Sequence, residues 1–170
     1  MILLCYDGSA DAQAAIDRAA QSMPGAQATV LTIWAPFLVT INHAGALGLA
    51  ASGVYVDNRQ VDLNRRRAAH EHATEGAQRA TAAGLHAEPR IAGQDGGSAR
   101  TILAVAAEID ADIIVLGTRG LGGVKSFLLG SVSHDVVQHA DRAVMVVPSF
   151  AIATRRRDSS HHAGISEVLL

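Results

Sequence analysis

Apolar positions recur with two different periods along the chain. Ile2 to Tyr6 is a short, almost unbroken apolar run that stops at Asp7-Gly8-Ser9, and Ala12, Ala15, Ile16, Ala19 and Met23 then recur at helical spacing until Pro24-Gly25. Residues three and four apart share one helix face, so the pattern predicts a strand followed by an amphipathic helix. Ser9 is placed to cap that helix by accepting a backbone N–H. Ala28 to Trp34 is short and rich in β-branched residues, which predicts a second strand. From about Asp57 to Ala83 the pattern is helical, with Ala69, Ala73, Gly76, Ala80 and Ala83 on one face. Glu75 and Arg79 have the spacing of a supporting ion pair, and Gly84 suits the stop. Leu85 to Ala92 is a third strand, interrupted by Pro89, which cannot donate to a ladder.

The second half repeats the alternation. Gly93 to Gly97 is a turn, Ser98 is the next expected N-cap, and Ile102, Ala106 and Ile109 mark a helix face. Asp112 to Leu116 is apolar after its first residue, as in a strand covered on both sides. A glycine-rich loop from Gly117 to Gly130 leads into a helix starting at Ser131, with Val132, Val136 and Ala140 expected inward. Ala143 to Val147 is the last strand, ended by Pro148. Strands alternating with helices predict an α/β fold, a parallel sheet with helices on both faces. Two segments stand apart. Residues 35–57 form a long Gly- and Ala-rich connection of the kind that serves function or moves. Residues 149–170, with Arg155-Arg156-Arg157 and His161-His162, have the character of a solvated, mobile tail, so the domain is expected to span 1–148.

Composition narrows the class. With 170 residues, 49% apolar and 18% charged, the chain suits one globular domain, and 4% aromatics leave the core to Ala, Val, Ile and Leu. A net charge of −2 argues against a protein that coats nucleic acid. The single cysteine, Cys5, rules out an intrachain disulfide and a cysteine zinc cluster, and it suits a reducing compartment. The N-terminal apolar run ends at Asp7 with no basic region before it, and the low-charge stretch from Ile33 to Val56 is broken by Pro36, Gly45, Gly48 and Gly53. Neither a signal peptide nor a membrane helix is expected, which makes the chain cytoplasmic.

Two elements carry candidate chemistry. The loop Gly117 to Ser133 follows an apolar strand and opens a helix. Glycines let the backbone turn sharply and approach a ligand, and the free N–H groups of a helix N-terminus favour an anion such as phosphate. Ser131 and Ser133 add hydroxyls in the first turn, while no Walker sequence is present and Lys125 lies mid-loop. The other element, Tyr6-Asp7-Gly8-Ser9, ends the first strand. Ligands of open parallel sheets sit at the carboxyl ends of strands where the strand order reverses. If the first and fourth strands are neighbours, Asp7 faces the glycine loop, where a carboxylate accepts from ribose hydroxyls or a base amine. On the residues alone, the loop is equally an ordinary connection, and Asp7 and Ser9 equally a turn and a cap.

Gly117, Gly120 and, nine residues on, Gly130-Ser131 match the pattern G-x2-G-x9-G-[ST], and the opening strand to Ser9 and the closing Ala143-Val-Met-Val-Val-Pro148 match as well. Over residues 1–148 the sequence resembles the universal stress protein family, in its ATP-binding branch. The resemblance implies a five-stranded parallel sheet of order 3-2-1-4-5, the adenine nucleotide alpha hydrolase-like fold. It implies ATP, with any Mg2+ carried by the phosphates: adenine near Ile33, Asp7 with Tyr6, Gly8 and Ser9 toward the adenosine, and phosphates on Gly117, Gly120, Gly130, Ser131 and Ser133. Leu116 and Val132 would line the site. It also implies a homodimer through Ala143 to Val147 and a regulatory, stress-adaptation role, with slow ATP hydrolysis or phosphotransfer, or a vestigial pocket on a dimeric interaction protein, as the alternatives. At Gly130, ahead of the helix expected to hold phosphate, a Cβ is expected either to obstruct the close approach of the backbone or to strain a positive φ. Arg119 and Gly122-Gly123 make the loop more basic and more flexible than the pattern requires.

The remaining features point to no second chemistry. The eight histidines include His70 and His72, two apart on a helix, and His134 and His139, five apart, and no set has the spacing of metal ligands. Arg65-Arg66-Arg67 has the pattern of a solvated helix face, and Cys5, inside a strand, that of a small hydrophobe.

Overall fold

The structure, a computed structural model, describes residues 1–36, 58–120 and 129–154. Its elements run β1 (Ile2–Cys5), α1 (Ala10–Ser22), β2 (Gln27–Trp34), α2 (Asn58–Ala82), β3 (His86–Gly93), α3 (Ser98–Glu108), β4 (Ile113–Gly117), α4 (Ser131–His139) and β5 (Ala143–Val147). The five strands form one parallel sheet in the order β3-β2-β1-β4-β5. β1 pairs with β2 on one side and β4 on the other, so the chain reverses its winding between β1 and β4. The pairing Gln27↔His86 to Trp34↔Gly93 makes β3 an edge strand, which is where Pro89 is tolerated.

The helices divide the core in two. Leu4, Tyr6 and Val30 face α1 and α2, packing with Ile16, Ala19, Ala77 and Ala80. Leu3, Leu31 and Ile114 face the other way, against Ile102, Val105 and Ala106 of α3 and Val136 of α4. Small residues let α2 lie close to the sheet: a Cβ on Gly76 would come within 2.8 Å of the Tyr6 ring and 2.9 Å of Val30.

The structure departs from the sequence-based expectations at five places. Arg79 pairs with Asp17 of α1 through two bonds of 3.1 and 2.7 Å, while Glu75 accepts the Tyr6 hydroxyl at 2.8 Å, so partners on other elements take both members of the expected i,i+4 pair. Ala83 is exposed, because the helix has ended, and Ala77 is buried in its stead. Gly97, not Ser98, is the N-cap of α3; no side chain caps that end, and the Thr101 hydroxyl accepts the Asp95 N–H of the turn instead. In α4, Val132 is 37% exposed and Ser133 is buried, since the helix turns a polar residue toward the end of β4. Arg65 also departs from a purely solvated role: it donates to the Ala35 carbonyl at 2.9 Å, tying α2 to the end of β2. Residues 37–57, Gly122-Gly123, Lys125 and the tail from 155 onward, including its arginines and histidines, lie outside the described residues.

Candidate nucleotide site

The cleft opens where β1 and β4 end. β1 continues into Tyr6, whose N–H donates to Leu31 at 2.8 Å and whose carbonyl accepts the Thr32 hydroxyl at 2.8 Å. These bonds fix the chain as it leaves the sheet. Gly8 then turns with φ +82°, a conformation that favours glycine. The turn is closed by Asp7, whose Oδ1 accepts the Ser9 N–H at 3.0 Å, and Ser9 Oγ caps α1 by accepting the Ala12 N–H at 3.2 Å. One carboxylate oxygen of Asp7 therefore holds the turn. The other, Oδ2, faces Gly120 so closely that a Cβ there would lie 2.5 Å from it.

The loop base comes from the other side. Thr118 follows Gly117, donates its N–H to Val147 of β5 at 2.9 Å, and accepts the Gly130 N–H at 2.7 Å. The Ser133 hydroxyl lies 2.9 Å from the Gly117 carbonyl and 3.1 Å from that of Thr118. Gly130 is the N-cap of α4 with φ −71° and ψ 161°, which any residue adopts. The expected positive φ is thus absent, and Gly130 is constrained by space: a Cβ would meet the Thr118 carbonyl at 3.3 Å. The Ser133 hydroxyl, expected to face phosphate, is spent on the two carbonyls at the end of β4. In an α-helix the first N–H groups have no carbonyl within the helix, which leaves those of Ser131, Val132 and Ser133 at the end facing the loop.

Of the residues singled out from sequence, Tyr6, Asp7, Ile33, Leu116, Gly117, Gly120, Val132 and Ser133 line this cleft. Gly8, Ser9, Gly130 and Ser131 stand behind it in the turn and the helix start. Cys5, Ala12, Leu31, Ser98, Ile102 and Arg119 complete the lining. Cys5, Leu31 and Ile102 were legible only as core: they belong to the α3–α4 side of the sheet, whose apolar surface continues to the rim as the cleft floor. Among the titratable lining groups, burial and then the Asp7 charge push the Cys5 thiol up to about 12, so it stays protonated at neutral pH. Burial, and then the hydrogen bond that the phenol donates to the Glu75 carboxylate, also raise Tyr6 above its ordinary value. Among the described residues no cluster of three or more His, Cys, Asp or Glu is arranged to hold a metal, and no helix is long and apolar enough to cross a membrane.

The chain is similar to other proteins in part of its sequence and in its fold. A Staphylococcus aureus (strain USA300) protein assigned to the universal stress proteins is 47% identical over 53 residues, 30% of this chain and about a third (32%) of that protein's length. The fold is similar to a universal stress protein from Archaeoglobus fulgidus in complex with dAMP, at 20% identity and TM-score 0.55 over 86% of this chain and 95% of that one. It is also similar to a universal stress family protein from Arabidopsis thaliana with AMP bound, at 16% identity and TM-score 0.55 over 88% and 92%. At such identities the likeness establishes the fold. The universal stress protein family model, however, matches residues 1–148 directly, and the chain belongs to that family.

Proposed function

We propose that the chain binds adenine nucleotides in this cleft, ATP above GTP, and serves as a cytoplasmic regulatory module of stress adaptation. The observation that carries the reading is the contact of Asp7 with Gly120 at the winding reversal. It joins a carboxylate suited to ribose or base donors with a glycine turn and a helix N-terminus suited to phosphate. The apolar floor of Leu31, Ile33, Ile102 and Leu116 fits a base. The dAMP and AMP held by the two relatives of the same fold are in keeping with this ligand class. Magnesium would arrive on the phosphates, screening their charge. Isothermal calorimetry with ATP, ADP, AMP, cyclic AMP and GTP at fixed magnesium tests the reading. Heat with the adenine series and little with GTP is expected; no heat, together with no co-purified nucleotide, would defeat it.

Binding rather than rapid turnover is the proposed output. Phosphoryl transfer needs a group that positions or deprotonates the acceptor. The Cys5 thiol and the Tyr6 phenol are both held in their protonated forms, and one Asp7 oxygen is committed to the turn. We further propose a homodimer through β5, whose outer edge adjoins no other strand among the described residues. Val144, Met145 and Val146 are only partly buried there, and Val137 and Phe150 are 51% and 78% exposed. Such an apolar edge is an association hazard unless another chain covers it. Light scattering at micromolar concentration should give twice the 17.6 kDa chain mass, and Val146→Asp should shift it toward the monomer. A monomeric wild type would reject the dimer.

A further inference from the structure

Asp11 lies in the first turn of α1, where a carboxylate usually complements the helix dipole from a solvated position. Here it is 6% exposed and accepts a hydrogen bond from the hydroxyl of Thr118, itself 3% exposed. Burying a carboxylate is costly unless a donor compensates it, so the pair is expected to be held firmly. Thr118 is thereby gripped from three directions. Its side chain is bound to α1, its N–H to Val147 of β5, and its carbonyl takes the Gly130 N–H and the Ser133 hydroxyl of α4. Residues 118 and 130 bracket the glycine loop, and Gly120, two residues on from Thr118, is the one that meets Asp7.

We infer that Thr118, anchored by the buried carboxylate of Asp11, is the positioning residue that fixes the base of the glycine loop and sets Gly120 against Asp7. It does not line the cleft and acts through the Gly130 amide and the path of the chain to Gly120. Its consequence for affinity rests on the proposed adenine-nucleotide site, whereas its consequence for the loop base does not.

Thr118→Val keeps the shape and removes the donor; Thr118→Ser keeps the donor. Hydrogen exchange of the nucleotide-free protein should report the Gly130 amide, with the Tyr6 amide, bonded inside the sheet to Leu31, as the gauge of global opening. Thr118→Val should speed Gly130 exchange by about tenfold more than Tyr6 exchange, the effect of losing one charge-assisted bond. It should weaken AMP binding by a similar factor, and Thr118→Ser should restore both. A role in stability alone would move both amides together, and that result, or an unchanged Gly130 amide, would overturn the inference. A wild type that binds none of the adenine series and carries no co-purified nucleotide defeats the nucleotide reading, and the exchange data then decide the positioning role by themselves. Should Thr118→Val not fold, Asp11→Asn replaces the charged acceptor by a neutral one, and a smaller acceleration at Gly130 is expected. No acceleration there would count against the inference.

Discussion

Gly120→Ala should lower affinity for adenine nucleotides by about ten- to a hundredfold while leaving the melting temperature nearly unchanged. The new methyl would occupy space 2.5 Å from Asp7 Oδ2, inside any normal contact distance. Something has to move, and the carboxylate is the softer partner. Asp7 cannot swing away freely, because its Oδ1 holds the Ser9 N–H and with it the turn that starts α1. Either the carboxylate rotates and loses the geometry that faces the ligand, or Gly120 retreats and takes the loop with it. One lost hydrogen bond to a charged group is worth roughly 1.5–3 kcal/mol, which gives the stated range. Stability should hold because Gly120 lies at the open rim of the sheet and the displaced atom belongs to a side chain. The check is AMP or ATP titration beside a thermal melt; wild-type affinity in the variant would mean that Asp7 and Gly120 do not act as one site.

The strands, their parallel sense and the two-faced core follow from apolar periodicity, since a strand buried on both sides shows an unbroken apolar run such as Ile113 to Leu116. The strand order does not follow from it. Alternation of strands and helices is compatible with several windings, and the 3-2-1-4-5 order was legible only through the glycine pattern and its family resemblance. Asp7 and the loop were legible as a site because a turn at a strand end and a glycine run before a helix each have local signatures. The Asp11–Thr118 pair has none. An acidic residue in a first helical turn is ordinary, and only the depth of α1 against β4 turns it into a buried carboxylate. The same holds for Glu75 and Arg79, where helical spacing suggested a mutual pair and packing against Tyr6 and Asp17 offered each a different partner. At Gly130 only one of the two expected reasons for a glycine falls away: its φ is negative, and the crowding comes from the neighbouring Thr118 carbonyl, which no local sequence signal announces.

Gly117→Ala should behave in the opposite manner to Gly120→Ala, losing stability and affinity together. A Cβ on Gly117 would lie 2.7 Å from both the carbonyl carbon and the Cβ of Asp11, and 2.9 Å from the Ala12 nitrogen. These atoms are helix backbone and a side-chain root, which no rotamer change can clear, so α1 as a whole must lift from β4. Overpacking of a well-filled site commonly costs about 1–3 kcal/mol, and rigid backbone on the receiving side places this case at the upper end. For a domain of this size that corresponds to a fall in melting temperature of about 6–12 °C. Lifting α1 also carries Ser9 and the Asp7 turn away from Gly120 and pulls Asp11 from Thr118. Both halves of the site are then displaced, and nucleotide binding should fall by more than tenfold even below the melting transition. Thermal melts and calorimetry on the one variant supply both readings. A stable Gly117→Ala protein would show that α1 leaves room for a methyl group against β4. A destabilised variant that still binds at wild-type affinity would separate the packing of α1 from the site it begins.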